Sequence, residues 1–467
     1  MVSRSVWFGI SVAVILTVGA MIAPSVHSTA ILGSGFLAQL LCSGTFVSHR
    51  DPRAVVAEDM SGPGFELVPF FQWRVERDRK RATASMLGLG HRTAIFREGL
   101  GCTLVVDATE DELRAQASVF PAPLAEDPDA PWPEGERVDL QASLQGVDRA
   151  ALAAAVEAAF AESDPIHPRR TRALVVVLGG HIVAERYAPG FDATMPLIGW
   201  SMTKMATNAL VGIAVQNGKL ALADKELLPE WRGNRRRDIT LDQLLRMTSG
   251  LSFNEDYEDH SSDVIQMLFV KGDKAGLAAS KPLQYSPGSH WSYSSGTSNI
   301  IARVLRQRFA EERDYLRFPR EQLFQPLGMR SAVLEPDESG TFVGSAFMYA
   351  SARDWARLGL LYLHDGVWHG RRLLPEGWVS YSLMPTRGAP DARYGAHIWL
   401  KLPQSPGLGE PPMPEDAYYM LGHDQQIVAV VPSRDLVIVR LGLTREERAW
   451  DHARDLAPIV QAASPGP

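Results

Sequence analysis

Two stretches far apart in the chain carry the same pattern, and together they constrain the fold more than any other feature. Residues 174–178 are an uninterrupted apolar run, Gly179-Gly180 follows as a turn signal, and residues 181–187 read as the returning strand. Near the other end, residues 427–431, the turn Pro432-Ser433-Arg434-Asp435 and residues 436–441 repeat that pattern. Strands joined by such tight turns run antiparallel. Residues 394–400 offer a fifth strand. Asp148 is placed to cap an alanine-rich helix that continues to Phe160, and residues 445–463 have helical character. Between the two halves, about two hundred residues carry mostly helical patterns broken by Gly and Pro. The expected fold class is α+β: one antiparallel β-sheet formed from both ends of a domain, flanked by helices, with a large and mostly helical inserted region.

The first fifty residues address compartment. Between Arg4 and Arg50 there is no Lys, Arg, Asp or Glu, and residues 6–23 are almost wholly apolar. Eighteen such residues reach the lower limit for a membrane-spanning helix and exceed the usual apolar core of a cleaved signal. The stretch has no polar face, so a buried soluble helix is a poor reading. Residues 1–30 are therefore read as a signal peptide or membrane anchor, and the chain as exported, either periplasmic or anchored in the inner membrane and facing the periplasm. Small residues at Ser28 and Ala30 leave cleavage open, and Leu41 ahead of Cys42 argues against a lipoprotein. Cys42 and Cys102, the only cysteines, could close a disulfide over about sixty residues; the alternative is two unrelated buried thiols.

Residues 31–120 read as a small β-containing preface, with the run Thr103-Leu104-Val105-Val106 as one strand. Residues 121–147 are rich in Pro and acid, a linker or wrapping arm. Residues 148–467 hold the remaining domain. A net charge of -7, with no basic tract longer than Arg235-Arg236-Arg237, argues against nucleic acid as a partner. His364, His369 and His397 show no metal-ligand spacing, and neither a His-Glu-x-x-His nor a Gly-x-Ser-x-Gly motif exists.

Three segments carry chemistry. In Gly199-Trp200-Ser201-Met202-Thr203-Lys204, at the start of a helical pattern, the i and i+3 spacing lets the Ser201 hydroxyl approach the Lys204 amine. A hydroxyl needs a neighbouring base to become a nucleophile, and lysine can serve once its pKa is lowered. By itself Ser-x-x-Lys is a weak signal. In Ser292-Tyr293-Ser294-Ser295, ahead of an apolar helix, a phenol beside a lysine ammonium would have its pKa lowered and act as base, unless these residues only cap and pack. Leu421-Gly422-His423-Asp424-Gln425-Gln426 leads into a strand whose backbone N–H groups could face Ser201, or is an ordinary turn. Trp200, Trp291 and Trp399 lie beside these motifs, as lining for an apolar acyl pocket or as core.

Order and separation of the three segments resemble the serine β-lactamase and penicillin-binding-protein superfamily, within it the class C β-lactamase-like hydrolases of esterase and 6-aminohexanoate-dimer hydrolase type. Asp242-Gln243-Leu244-Leu245-Arg246-Met247-Thr248-Ser249-Gly250-Leu251, Phe324-Gln325-Pro326-Leu327-Gly328-Met329 and Ala350-Ser351-Ala352-Arg353-Asp354-Trp355 look similar as well. The resemblance implies a β-lactamase/transpeptidase-like fold, Ser201 as the acylated nucleophile, Lys204 as its activator, Tyr293 as general base coupled to Lys204, and the N–H groups of Ser201 and Gln426 as oxyanion donors. No cofactor or metal is implied. Ser295, His423 and Gln425 fall at substrate-binding positions and depart from the β-lactamase pattern. An imidazole at His423 replaces a lysine that would bind a substrate carboxylate, and Gln425 replaces a glycine. An ester or small linear amide is therefore the expected substrate, ahead of cell-wall D,D-peptides and then β-lactams. A catalytically silent, membrane-tethered binding protein is the reading from another class. Oligomeric state is not legible.

Overall fold

The computed structural model describes residues 4–116, 130–140, 146–403, 413–446 and 448–463, and side chains from residue 25 onward. A single helix, α1 (Arg4–Phe46), opens the chain and crosses the expected boundary at residue 30 without a break. The side chains of residues 6–23 lie outside the described ones. The segment Ser25–Phe46 is itself long and apolar enough to span a bilayer, yet 67% of its apolar window is buried in this protein. It packs across an antiparallel meander of β1 (Phe71–Glu76), β2 (Arg81–Met86), β3 (Leu89–Arg97) and β4 (Gly101–Val105). Leu37, Ala38 and Leu41 of the helix meet Ala82, Ala84, Ala94 and Leu104 of the sheet in a core of their own. Cys42 and Cys102 are joined in a disulfide within it.

Of the Pro-rich segment, Pro121, Pro123 and Pro128 lie outside the described residues. Residues 130–140 are an arm packed on the domain: Trp132 is buried, and the carbonyls of Pro133 and Gly135 accept from Arg357, while Glu136 pairs with Arg353 and Arg357. Asp148 caps α2 (Arg149–Phe160) through its side chain, as its position predicts.

The main sheet has five strands: β5 (Thr171–Leu178), β6 (His181–Tyr187), β7 (Tyr418–Gly422), β8 (Gln426–Val431) and β9 (Leu436–Gly442), in the order β7-β8-β9-β5-β6. Val176 faces Ile438, and Ile438 faces Ala429, so the two chain ends meet at β5–β9. Every β5 residue is buried because both faces are covered. Leu174, Val176 and Leu178 point to α2 and the last helix, whereas Val175 and Val177 enter the large core shared with the insertion. The helices that matter for the site are α3 (Thr203–Gln216), α4 (Ser295–Arg306) and α5 (Ala352–Leu363), with α6 (His452–Ala462) closing the chain.

Two expectations are corrected. Residues 394–400 are not a strand: they make only isolated bridges, Tyr394 to Trp399 and Trp399 to Tyr419. His397, at φ 61°, turns the chain and buries its ring, which ends any extended run. The fifth strand is instead β7. Helix α6 starts only at His452, where Asp451 caps it by accepting from Arg454 N–H, and the residues before it bond elsewhere, as Leu443 N–H does to Arg170.

Candidate active site

Ser201 sits in a one-turn 3-10 helix, Trp200–Met202, that runs straight into α3. Trp200 before it holds a left-handed φ of 49°, a strained conformation of the kind proteins keep at functional sites. The approach to the serine is tight. A Cβ on Gly199 would meet the Trp355 ring at 2.2 Å, and one on Gly422 would meet Gly199 O at 2.2 Å. Gly422 lets the turn that carries Ser201 lie directly against the end of β7, and Gly199 lets it lie against Trp355.

One turn along, Lys204 is 2% exposed, and its Nζ donates to Ser201 Oγ at 2.9 Å, Ser295 Oγ at 3.2 Å and Ser345 O at 3.1 Å. Burial lowers its pKa to about 8, although the nearby charge of Glu255 acts against the shift. The amine lies 4.8 Å from the centroid of the Tyr293 ring. The Tyr293 phenol is near enough to Ser201 to feel its hydroxyl, so the three expected residues converge. The phenol does not behave as the sequence suggests: burial, aided by the charge of Glu255, pushes its pKa up rather than down, and the Ser201 hydroxyl offsets this only in part. Of the two, the amine is the group poised to take a proton near neutrality.

Ser295 opens α4 behind its N-cap, Ser294, and is 2% exposed. Its N–H donates to Glu255 Oε2 at 2.8 Å, its Oγ donates to Glu255 Oε1, and Tyr257 OH donates to Glu255 Oε1 at 2.7 Å. Burial raises the Glu255 pKa while Lys204 and these donors pull against it. Sequence reasoning missed Glu255. Its one signal is a place shortly after Thr248-Ser249-Gly250-Leu251, in an acidic loop that reads as solvated. His397, set aside on sequence, packs under α3: Nδ1 lies 3.2 Å from Lys204 O and Nε2 lies 3.1 Å from Ser298 Oγ. Burial, then the Lys204 charge, depresses its pKa to about 3, so it is a neutral strut.

The third segment forms the opposite lip. His423 is 54% exposed at its side chain, stacks on Tyr257 with ring centroids 5.6 Å apart and meets Trp200 edge-on at 5.8 Å. Asp424 and Gln425 both adopt left-handed φ, 58° and 60°. Buried Arg440 holds them there, donating to the carbonyls of Asp424 at 3.3 Å and Gln425 at 2.9 Å. That grip is how a glutamine occupies a conformation that favours glycine. Gln426 N–H donates to His423 O and closes this turn, so the second expected oxyanion donor is engaged within its own loop. The Gln426 side chain clasps Gly442 through N–H and carbonyl at 2.7 and 2.9 Å. Trp200 lines the cleft with Ser201, Tyr257, Ser295 and residues 422–426. Trp291 and Trp399 instead pack with Tyr293 and Tyr394. No group of three or more potential metal ligands occurs among the described residues.

A buried amine hydrogen-bonded to a serine at a helix start, beside a helix-flanked antiparallel sheet, is the arrangement of a serine hydrolase. The chain belongs to the beta-lactamase family, whose model matches residues 156–463. It is 27% identical over 222 residues to the 6-aminohexanoate-dimer hydrolase of Paenarthrobacter ureafaciens, spanning 45% of this chain and 56% of that relative's length. Among solved structures, a penicillin-binding-protein homologue from Caulobacter crescentus superposes with a TM-score of 0.52 at 17% identity, covering 69% of this chain and 98% of the other. A family VIII carboxylesterase gives 0.52 at 14% identity, covering 68% and 98%. At such identities these two structures speak for the fold alone.

Proposed function

We propose that the protein hydrolyses an ester or a small linear amide through an acyl-enzyme on Ser201. Ser201 Oγ attacks the carbonyl carbon and passes its proton to Lys204 in the amine form. Tyr293, whose ring lies 4.8 Å from the Lys204 amine, relays that proton to the leaving alcohol or amine as its bond to the carbonyl breaks. Water, deprotonated by the same pair, then attacks the acyl-enzyme and releases the acid and Ser201. The Ser201 N–H is one oxyanion donor. Gln426 N–H becomes the second by exchanging His423 O for the developing charge, an interaction stronger in the transition state than before it. Ser295, His423 and Gln425 border the substrate. The apolar stretch in α1 and the disulfide support an exported protein held at a membrane.

The observation that carries this reading is the 2.9 Å contact from the Lys204 amine, its pKa lowered to about 8, to Ser201 Oγ. A fluorophosphonate probe, followed by peptide mapping, is expected to label Ser201 alone, with labelling abolished in Lys204→Ala. A folded protein that takes no label would defeat the reading.

A further inference from the structure

The cleft does not end at the catalytic groups. It continues into a cavity of about 760 Å³ whose far wall is the N-terminal helix, outside the segment shared with the family. Thr29, Leu32, Phe36, Leu40 and Gly44 line it at helical spacing, so one face of α1 borders the cavity over about 22 Å at 1.5 Å per residue. Phe65, Val68 and Phe71 close one side, and Ile265, Leu268 and Phe269 of the insertion close another. Phe36 ties these walls together, its ring centroid 5.5 Å from Phe65 and 4.9 Å from Phe269. Gly33 fits the design: a Cβ there would meet the Phe71 ring at 2.3 Å, so a glycine inside a helix lets Phe71 lie against α1. At the margin, Arg50 and Arg172 are both paired to Asp59.

A volume within the range of small-molecule pockets, mostly apolar in lining and continuous with Ser201, is far larger than a short acyl group needs. Resting on the acyl-enzyme reading above, we infer that the substrate carries a long apolar chain on one side of its scissile ester or amide, and that this chain lies along α1. Thr29 is six residues beyond the apolar stretch ending at Ala23, about 9 Å of helix, so the cavity lies close to where that stretch would leave a bilayer. The chain could thus belong to a membrane-resident lipid or to a dissolved amphiphile.

The test uses the full chain in phosphatidylcholine nanodiscs. Two series of esters are compared, one lengthening the acyl chain from acetyl to palmitoyl, the other lengthening the alcohol of an acetate. In one series kcat/KM is expected to rise at least about tenfold between the shortest and a mid-length chain, since each buried methylene contributes up to roughly 0.8 kcal/mol, about fourfold. Leu32→Trp, or Ile265→Trp from the opposite wall should the first fail to fold, is expected to lower the ratio of long-chain to acetyl kcat/KM at least about tenfold. Flat or falling values in both wild-type series would overturn the inference while leaving the acyl-enzyme reading intact. Affinity of the same esters for Ser201→Ala, read by tryptophan emission, separates the two ideas: a rise with chain length without turnover in the wild type keeps the chain pocket and removes the hydrolase. Presenting one long-chain ester below its micelle concentration or embedded in phosphatidylcholine vesicles tells the sources apart, a faster rate from vesicles assigning the bilayer.

Discussion

Lys204 has three hydrogens as an ammonium, and Ser201, Ser295 and Ser345 O take all three. To accept the Ser201 proton it must first lose one, and with a pKa of about 8 it is mostly protonated at pH 7. kcat/KM should therefore rise with pH along an acid limb near 8. Glu255, when ionised, holds that proton on, so Glu255→Gln is expected to move the limb to lower pH. The amide can accept from only one of the two Ser295 donors, so the maximum should also fall, roughly tenfold. Lys204→Ala removes the base and should cost about two to four orders of magnitude at every pH. A pH profile of kcat/KM for the three proteins checks both signs, and an unmoved limb in Glu255→Gln would exclude the coupling. The meeting of Ser201 with Lys204 was legible because it depends on a short spacing at a helix start, and Tyr293 was placed beside them by the resemblance. Glu255 and His397 were not, because each acts through a contact made only by folding: Glu255 with Ser295, forty residues away, and His397 with the Lys204 carbonyl, 193 residues away.

At the scale of elements, hairpin patterns gave β6, β8 and β9 to within a residue and β5 all but its first three residues, since apolar runs closed by turn-formers report local pairing. β7 was missed because an edge strand with Gly422 at its end carries a weaker pattern than the aromatic run near Trp399. The contact between preface and domain was equally invisible, for it is made of long-range pairs: Val106 and Asp107 N–H donate to Glu338, Arg172 pairs with Asp59, and a buried carboxylate lies between the two parts. Glu335, fully buried, accepts from Gln39 Nε2 at 2.8 Å, Ser43 Oγ at 2.8 Å and Cys102 N–H at 2.7 Å. Burial outweighs these donors and Arg97, raising its pKa from 4.5 to about 8. The folded protein then binds a proton that the unfolded chain releases. The resulting stabilisation is fully present below pH 4.5, declines as pH rises, and is lost above about 8. Glu335→Gln, neutral throughout, should show no such decline. Urea midpoints of the two proteins between pH 5 and 9 test this: the wild type should lose stability relative to the variant, and parallel curves would mean that the carboxyl is ionised across the range.

At the scale of the whole molecule, the preface has a core of its own beside that of the main sheet, so its opening is an event distinct from opening of the sheet. The disulfide lies in the preface core. It closes a loop with a sequence separation of 60, which in a chain-entropy treatment stabilises by about 4 kcal/mol. Replacing both Cys42 and Cys102 with serine should therefore lower the free energy of opening of the preface by up to that amount and leave β8 and β9 little affected. Native-state hydrogen exchange resolves the two: amides of β2 and β3 should exchange faster in the variant, while those of β8 and β9 keep their protection. Uniform acceleration would show instead that preface and domain open as one unit. Because α1 lines the cavity beside Ser201, loosening the preface has a catalytic signature as well. The variant should lose discrimination between long-chain and acetyl substrates more than it loses labelling of Ser201, since the turn that carries Ser201, although its Trp200 packs on the preface core, is also fixed from the domain side by Trp355 and the end of β7.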